Sequence, residues 1–83
     1  MIQVALIKTP VYLTWATYVP SHIGGYKVYL EFQAGTTHFE KTAYTTDSET
    51  IDEVADMVRD GESTDKIYKR LYDCVAHQID LND

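Results

Sequence analysis

Cys74 and His77 stand three residues apart in a stretch with helical periodicity, which sets a thiol and an imidazole on one helix face. A pair of that kind can activate sulfur as a nucleophile. A lone Cys in an apolar stripe is more commonly a small packing residue, and that is the expectation for Cys74. Glu49, Glu53, Asp56 and Asp60 form a second constellation, an acidic stripe at helical spacing. Carboxylates perform acid–base work where a pocket shifts their pKa values. Outside a pocket they make a solvated helix face, or a row of charges that mimics phosphates toward a nucleic-acid-binding partner. His22, His38 and His77 fall in a loop, a strand and a helix, and none pairs with another ligand at metal spacing. Gly24-Gly25 lacks the Lys-Ser/Thr that completes a phosphate loop, and Asp60-Gly61-Glu62 is too short for a calcium loop. The expectation is a protein without catalytic residues, metal or cofactor.

The third constellation is aromatic. Seven tyrosines in 83 residues is a high share, and tyrosine suits interfaces because it joins a large apolar body to a polar tip with few rotamers to freeze. Charge is divided along the chain. Residues 1–46 carry two acids and three bases, whereas residues 47–83 carry eleven acids and four bases, for a net charge of −6. That balance argues against direct binding to nucleic acid or to anionic membranes, which both require Lys and Arg. It favours basic protein partners, among them proteins that handle nucleic acid. The single cysteine allows no internal disulfide, no apolar run is long enough to span a membrane, and the N-terminus lacks the pattern of a signal peptide. The expected location is cytoplasmic.

A chain of this length is expected to form a single domain over residues 1–83, a sheet over 1–46 followed by an acidic helical pair over 47–83. Val4-Ala5-Leu6-Ile7 reads as a buried strand and Val11 to Val19 as a second. Thr9-Pro10 between them marks either a tight hairpin turn or a bend in one long edge strand. Pro20 to Gly25 is a loop. Tyr26 to Gln33 alternates cleanly, Ala34-Gly35-Thr36 is a hairpin turn, and Thr37 to Thr45 is the next strand. Lys41 shares the inward side of that strand with Phe39 and Ala43, which places the strand at an edge or twists it outward. Asp47-Ser48 starts a helix whose buried stripe is Ile51, Val54, Ala55 and Val58, and Gly61 ends it. Ser63 or Thr64 caps a second helix with the stripe Ile67, Leu71, Cys74, Val75 and Ile79. The tail after Leu81 is expected to fray. Together these give an α+β fold: an antiparallel three- to four-stranded sheet with two C-terminal helices packed on one face.

Parity then assigns the faces. Val11, Leu13 and Trp15 are expected to join Val28, Leu30 and Phe32 under the helices. Tyr12, Thr14, Ala16 and Tyr18 would lie on the other face with Lys27, Tyr29, Glu31 and Gln33, and with some of His38, Glu40, Thr42 and Tyr44. No helix remains to cover that face, and tyrosines rimmed by polar groups are the composition of a binding surface. Tyr12, Tyr18, Tyr29 and Glu31 are therefore the expected partner-binding residues, and Glu49, Glu53 and Asp56 the candidates on the helical side.

The layout resembles small phage-encoded anti-CRISPR proteins. The features that carry the likeness are a short acidic chain, Tyr on an antiparallel sheet, an Asp47-Ser48 helix start after the last strand, and a Gly-containing break between two C-terminal helices. The resemblance implies a non-catalytic inhibitor that binds a subunit of a type I Cas surveillance complex. The segment Gly25-Tyr26-Lys27-Val28, a further strand and a helix opening at Asp47 to Ala55 is also similar to the β-β-α segment of HicB-like antitoxins. That family's LPGC-type loop is absent, and a second helix follows instead. This likeness implies an antitoxin or small dimeric regulator, with a homodimer as the partner state.

Overall fold

Strand β1 (Ile2–Ile7) turns directly into β2 (Thr9–Pro20) in the computed structural model, which describes residues 1–82; Asp83, the end of the expected tail, lies outside the described residues. Of the two readings of Thr9-Pro10, the tight hairpin is the one that occurs. Ile7 pairs with Thr9 across Lys8, whose φ of 61° lies in the left-handed region. β3 (Tyr26–Ala34) and β4 (Thr37–Thr45) complete a four-stranded antiparallel sheet in the order β1-β2-β3-β4. The β3–β4 turn has two residues, with glycine at its first central position, Gly35, as a II′ hairpin requires. Helices α1 (Ser48–Arg59) and α2 (Thr64–Val75) follow on one face, and a short 3₁₀ turn, Ala76–Gln78, extends α2. The fold is α+β.

Both helices begin at a side-chain cap, and α1 ends at a glycine. The Asp47 carboxylate accepts hydrogen bonds from the Thr50 amide (3.1 Å) and the Thr50 hydroxyl (2.6 Å), closing the first turn of α1. At the other end, the amides of Gly61 and Glu62 donate to the carbonyls of Val58 and Met57. This is a Schellman closure, which needs the left-handed φ of 73° that Gly61 adopts. The Ser63 hydroxyl caps α2 by accepting from the Lys66 amide at 3.3 Å.

One core joins the layers. Val11, Leu13 and Ala16 of β2, Val28, Leu30 and Phe32 of β3, and Ala43 of β4 meet Ile51, Val54, Leu71 and Val75 of the helices. Phe32 ties three elements together: it stacks on Phe39 of β4 at 5.3 Å and meets Tyr72 of α2 edge-on at 5.9 Å. α2 rests on β2, β3 and β4, while α1 leans chiefly on α2. That placement narrows the stripe α1 buries and turns it around the helix. Thr50, Ile51 and Val54 are buried, whereas Ala55 and Val58, expected inside, are exposed, Val58 by 59%. Past α2, Ile79 packs against the core as its place in the stripe predicts, and Leu81 packs beside it.

The main departure from the sequence pattern lies in β2. Leu13 pairs with Phe32, but Trp15 pairs with Glu31, so Thr14 is an extra residue in the ladder. Such a bulge reverses the side-chain parity beyond it. Ala16 therefore points into the core where Trp15 was expected, and Trp15 stands outside, 40% exposed. The Thr14 hydroxyl donates to the Glu31 carbonyl at 3.2 Å, supplying a hydrogen bond where the backbone ladder is interrupted.

Two predictions follow from these placements. Leu30→Ala should lower stability in urea unfolding by about 3 kcal/mol, whereas Trp15→Ala should cost about 1 kcal/mol or less. A Trp15 variant as damaging as the Leu30 variant would return the indole to the core. The second concerns Asp47, whose carboxyl is held below its ordinary value of 3.8, first by the Thr50 hydroxyl and then by the Thr50 amide. A depressed carboxylate pKa stabilises the fold above the unfolded value, and that contribution disappears as pH falls through the folded value. Wild type should melt above Asp47→Asn near neutral pH, and the gap should close as the pH drops below 3.8. A gap independent of pH would remove the charge from the capping account.

Candidate functional site

The central strand and its neighbours set out the uncovered face in cross-strand rows. Beyond the bulge, Val19, Lys27 and Tyr44 form one row; Thr17, Tyr29 and Thr42 the next; Trp15, Glu31 and Glu40 a third. On the near side of the bulge, Tyr12, Gln33 and His38 form a fourth. The side chains between β3 and β4 stand close together within each row. The Tyr44 amide donates to Gln78 Oε1 (3.1 Å) and Gln78 Nε2 donates to the Tyr44 carbonyl (2.6 Å), so the Tyr44 backbone faces away from β3. Lys27–Tyr44 is thus a non-hydrogen-bonded pair, and by alternation so are Tyr29–Thr42 and Glu31–Glu40, the pair type with the closest side chains.

Lys27 lies beside two rings, 5.1 Å from the centroid of Tyr29 and 6.0 Å from that of Tyr44. Its ammonium is held above its ordinary pKa, first by hydrogen bonding to Tyr29, then by charge attraction to Tyr29 and Tyr44. The cation is thereby positioned in the open, against the faces of two aromatic side chains. Two residues along β3, the charge changes sign. Glu31 faces Glu40 directly, an arrangement that destabilises a sheet unless something positive approaches it. Neither carboxylate has an ion-pair partner among the described residues.

Between these charges the surface is apolar and indented. Trp15, Val19, Tyr29, Glu31, Glu40 and Lys41 line a groove of about 310 Å³. It adjoins a second hollow, which shares Val19 and Tyr29 with it and is bounded by Ile23, Lys27 and Tyr44. Ile23, at the tip of the β2–β3 loop, is 92% exposed, and Tyr44 is 52% exposed. Among the described residues no element covers this face.

Of the residues the sequence nominated, Tyr12, Tyr29 and Glu31 share this face. Tyr18 does not: the bulge turns it to the helical side, where it packs against the core and meets Tyr26 edge-on at 5.9 Å. Trp15, Thr17 and Val19 take the places that sequence parity gave to Thr14, Ala16 and Tyr18. No glycine or proline marks the bulge at Thr14, so nothing local in Leu13-Thr14-Trp15-Ala16 betrays the shift.

Glu49, Glu53 and Asp56 belong to the helical layer and do not join the sheet residues. Glu53 accepts hydrogen bonds from Arg70 Nε (3.2 Å) and Nη2 (3.1 Å), and Arg70 Nη2 also donates to the Thr50 hydroxyl at 3.1 Å. Glu53 therefore completes a chain from Asp47 through Thr50 and Arg70 that ties the start of α1 to α2. Asp56 pairs with Arg59 at 3.1 Å, while Glu49 makes no ion pair among the described residues. An exposed pair such as Asp56–Arg59 contributes little stability, about 0–1 kcal/mol.

The Cys74 thiol donates to the Leu71 carbonyl at 3.1 Å, and burial pushes it above its ordinary pKa. Both observations suit a packing residue better than a nucleophile, which works as the thiolate. His77 is exposed in the 3₁₀ turn beyond the end of α2. No three His, Cys, Asp or Glu side chains gather as metal ligands among the described residues, and no helix there is long and apolar enough to cross a membrane. Comparison with protein-family models, with curated proteins and with solved structures finds no match to this chain.

Proposed function

We propose that the protein is a non-catalytic inhibitor that docks through its uncovered sheet face onto a subunit of a nucleic-acid-handling complex and blocks it. The observation that carries this reading is the uncovered aromatic face itself, on which Trp15 and Tyr29 line a groove and Tyr44 bounds the hollow beside it, with charge at both ends. Rigid strands hold these side chains, so little conformational entropy is lost on docking, and Trp and Tyr are the commonest anchors of protein interfaces. The net charge of −6 favours a basic partner, as subunits that grip nucleic acid are. The resemblance in layout to anti-CRISPR proteins makes a Cas subunit of a type I surveillance complex the first partner to try.

A second reading, a small dimeric or antitoxin-like regulator, draws on one feature of the same face. A cation and a carboxylate pair stand in rows on either side of Tyr29, which gives the face opposite charges at its two ends.

Immobilised protein should retain a purified type I surveillance complex and prevent it from binding target DNA. Tyr29→Ala should weaken that retention by about 2 kcal/mol, roughly thirtyfold, with near-native circular dichroism and melting. Tyr18→Ala is the contrasting variant, because that ring belongs to the core side: it should lower melting more than it lowers retention by the folded fraction. Absence of retention by wild type would eliminate these complexes as the target, and retention unaffected by Tyr29→Ala would move the contact off this face.

A further inference from the structure

We infer that a second copy of this chain covers the outer face when no other partner does, sheet against sheet, about a two-fold axis that runs across the strands at Tyr29. The inference rests on the reading of this face as a protein-binding surface, and it adds the occupant and the register.

The argument is one of complementarity under a symmetry operation. Face-to-face dimers place the two-fold axis in the plane between the sheets, where residue i of one copy meets residue j of the other and the reverse. An axis along β3 would stack each row on its own copy, bringing the Glu31–Glu40 pair against a second Glu31–Glu40 pair. Four carboxylates would then share one region, at a cost of several kcal/mol for like charges brought together.

An axis across the strands through Tyr29 does the opposite. It keeps β2 over β2 and β4 over β4 but reverses strand direction, so the Lys27 row lies over the Glu31 row. Lys27 then meets Glu31 of the partner subunit. Val19 meets Trp15 of the partner subunit, and the Tyr44 hydroxyl reaches Glu40 of the partner subunit. Each of the three pairs is chemically matched, and the symmetry forms each of them twice.

Geometry permits it. Lys27 and Glu31 stand about 7 Å either side of Tyr29 along the strand. Aligned sheets cross at about 30°, which displaces such positions by roughly 3.5 Å, within reach of Lys and Glu side chains. Lys27 is already set in the open against Tyr29 and Tyr44. The molecule is a slab with extents of 35 × 30 × 16 Å. A face of that span offers about 1,000 Å², above the roughly 800 Å² per partner of a standard stable interface. The edge of β4 is a poorer route to a dimer, because Gln78 occupies the Tyr44 backbone and the strand carries Lys41 on its inward side. Self-association and capture of another protein then compete for Tyr29 and Trp15.

Sedimentation equilibrium of the full chain from low micromolar to millimolar concentration tests this. Wild type should rise from 9.5 kDa toward twice that mass. Lys27→Glu alone, and Glu31→Lys with Glu40→Lys, should each weaken dimerisation by at least an order of magnitude while keeping the wild-type circular dichroism spectrum. Mixing the two variants should restore a dimer, since one then carries only acids at these positions and the other only bases. A wild type that stays monomeric throughout, a dimer indifferent to both reversals, or folded variants that fail to associate on mixing would each overturn the inference. A monomeric wild type that still binds a surveillance complex through Tyr29 would overturn the dimer alone and leave the inhibitor reading in place.

Discussion

One extra residue in β2 decides what this molecule shows to its surroundings. Because Thr14 has no ladder partner, Trp15, Thr17 and Val19 lie on the face opposite to Val11 and Leu13, while Ala16 and Tyr18 join the core side. Small Ala16 then sits beneath the helical layer, and the largest side chain of the chain is turned out. Restoring strict alternation would press an indole against α2 and leave Ala16 in the groove that Trp15 now lines. The bulge thus builds the core and the candidate interface in the same step, and its own cost is reduced by the Thr14 hydroxyl bonded to the Glu31 carbonyl.

A two-layer fold has two outer surfaces, and these two differ in kind. On the helical side each base holds an acid: Arg70 holds Glu53 and also Thr50, Lys69 holds Asp73, Lys66 holds Glu62 and Arg59 holds Asp56, while acids in excess such as Glu49 and Asp52 face solvent. The Arg70 contacts fix α1 to α2, the element on which α1 chiefly leans. On the sheet side the charges are left facing solvent. Lys27 is positioned by two rings and the Glu31–Glu40 pair faces itself, with apolar surface between. Uncompensated charge on rigid strands beside exposed aromatics is costly to keep unless another molecule uses it.

Much of the architecture was legible in the residues. The alternation of Val28, Leu30 and Phe32, the Gly35 turn, the Asp47 cap and the Gly61 stop each state a local rule that the fold obeys. Along β2 the faces were legible only as far as Leu13. Parity is a running count, and one unmarked insertion changes every later assignment, which is why Tyr18 moved inward and Trp15 outward together. Ala55 and Val58 illustrate a different limit. Periodicity identifies an apolar stripe but not the depth to which the neighbouring element buries it, and α1 has α2 beside it where a helix lying on the sheet would be buried more broadly. The Lys27 and Glu31–Glu40 rows depend on β3–β4 register, which the two-residue Gly35-Thr36 turn fixes but which no single strand displays.

The most direct test of this account is a set of cross-strand nuclear Overhauser contacts along β2. The bulge predicts backbone contacts between Trp15 and Glu31 and between Ala16 and Leu30, with the indole protons remote from Leu71 and Val75 of α2. Contacts between Trp15 and Leu30, together with indole contacts to Leu71 or Val75, would show an unbroken ladder and contradict both the outer face described here and every role assigned to it.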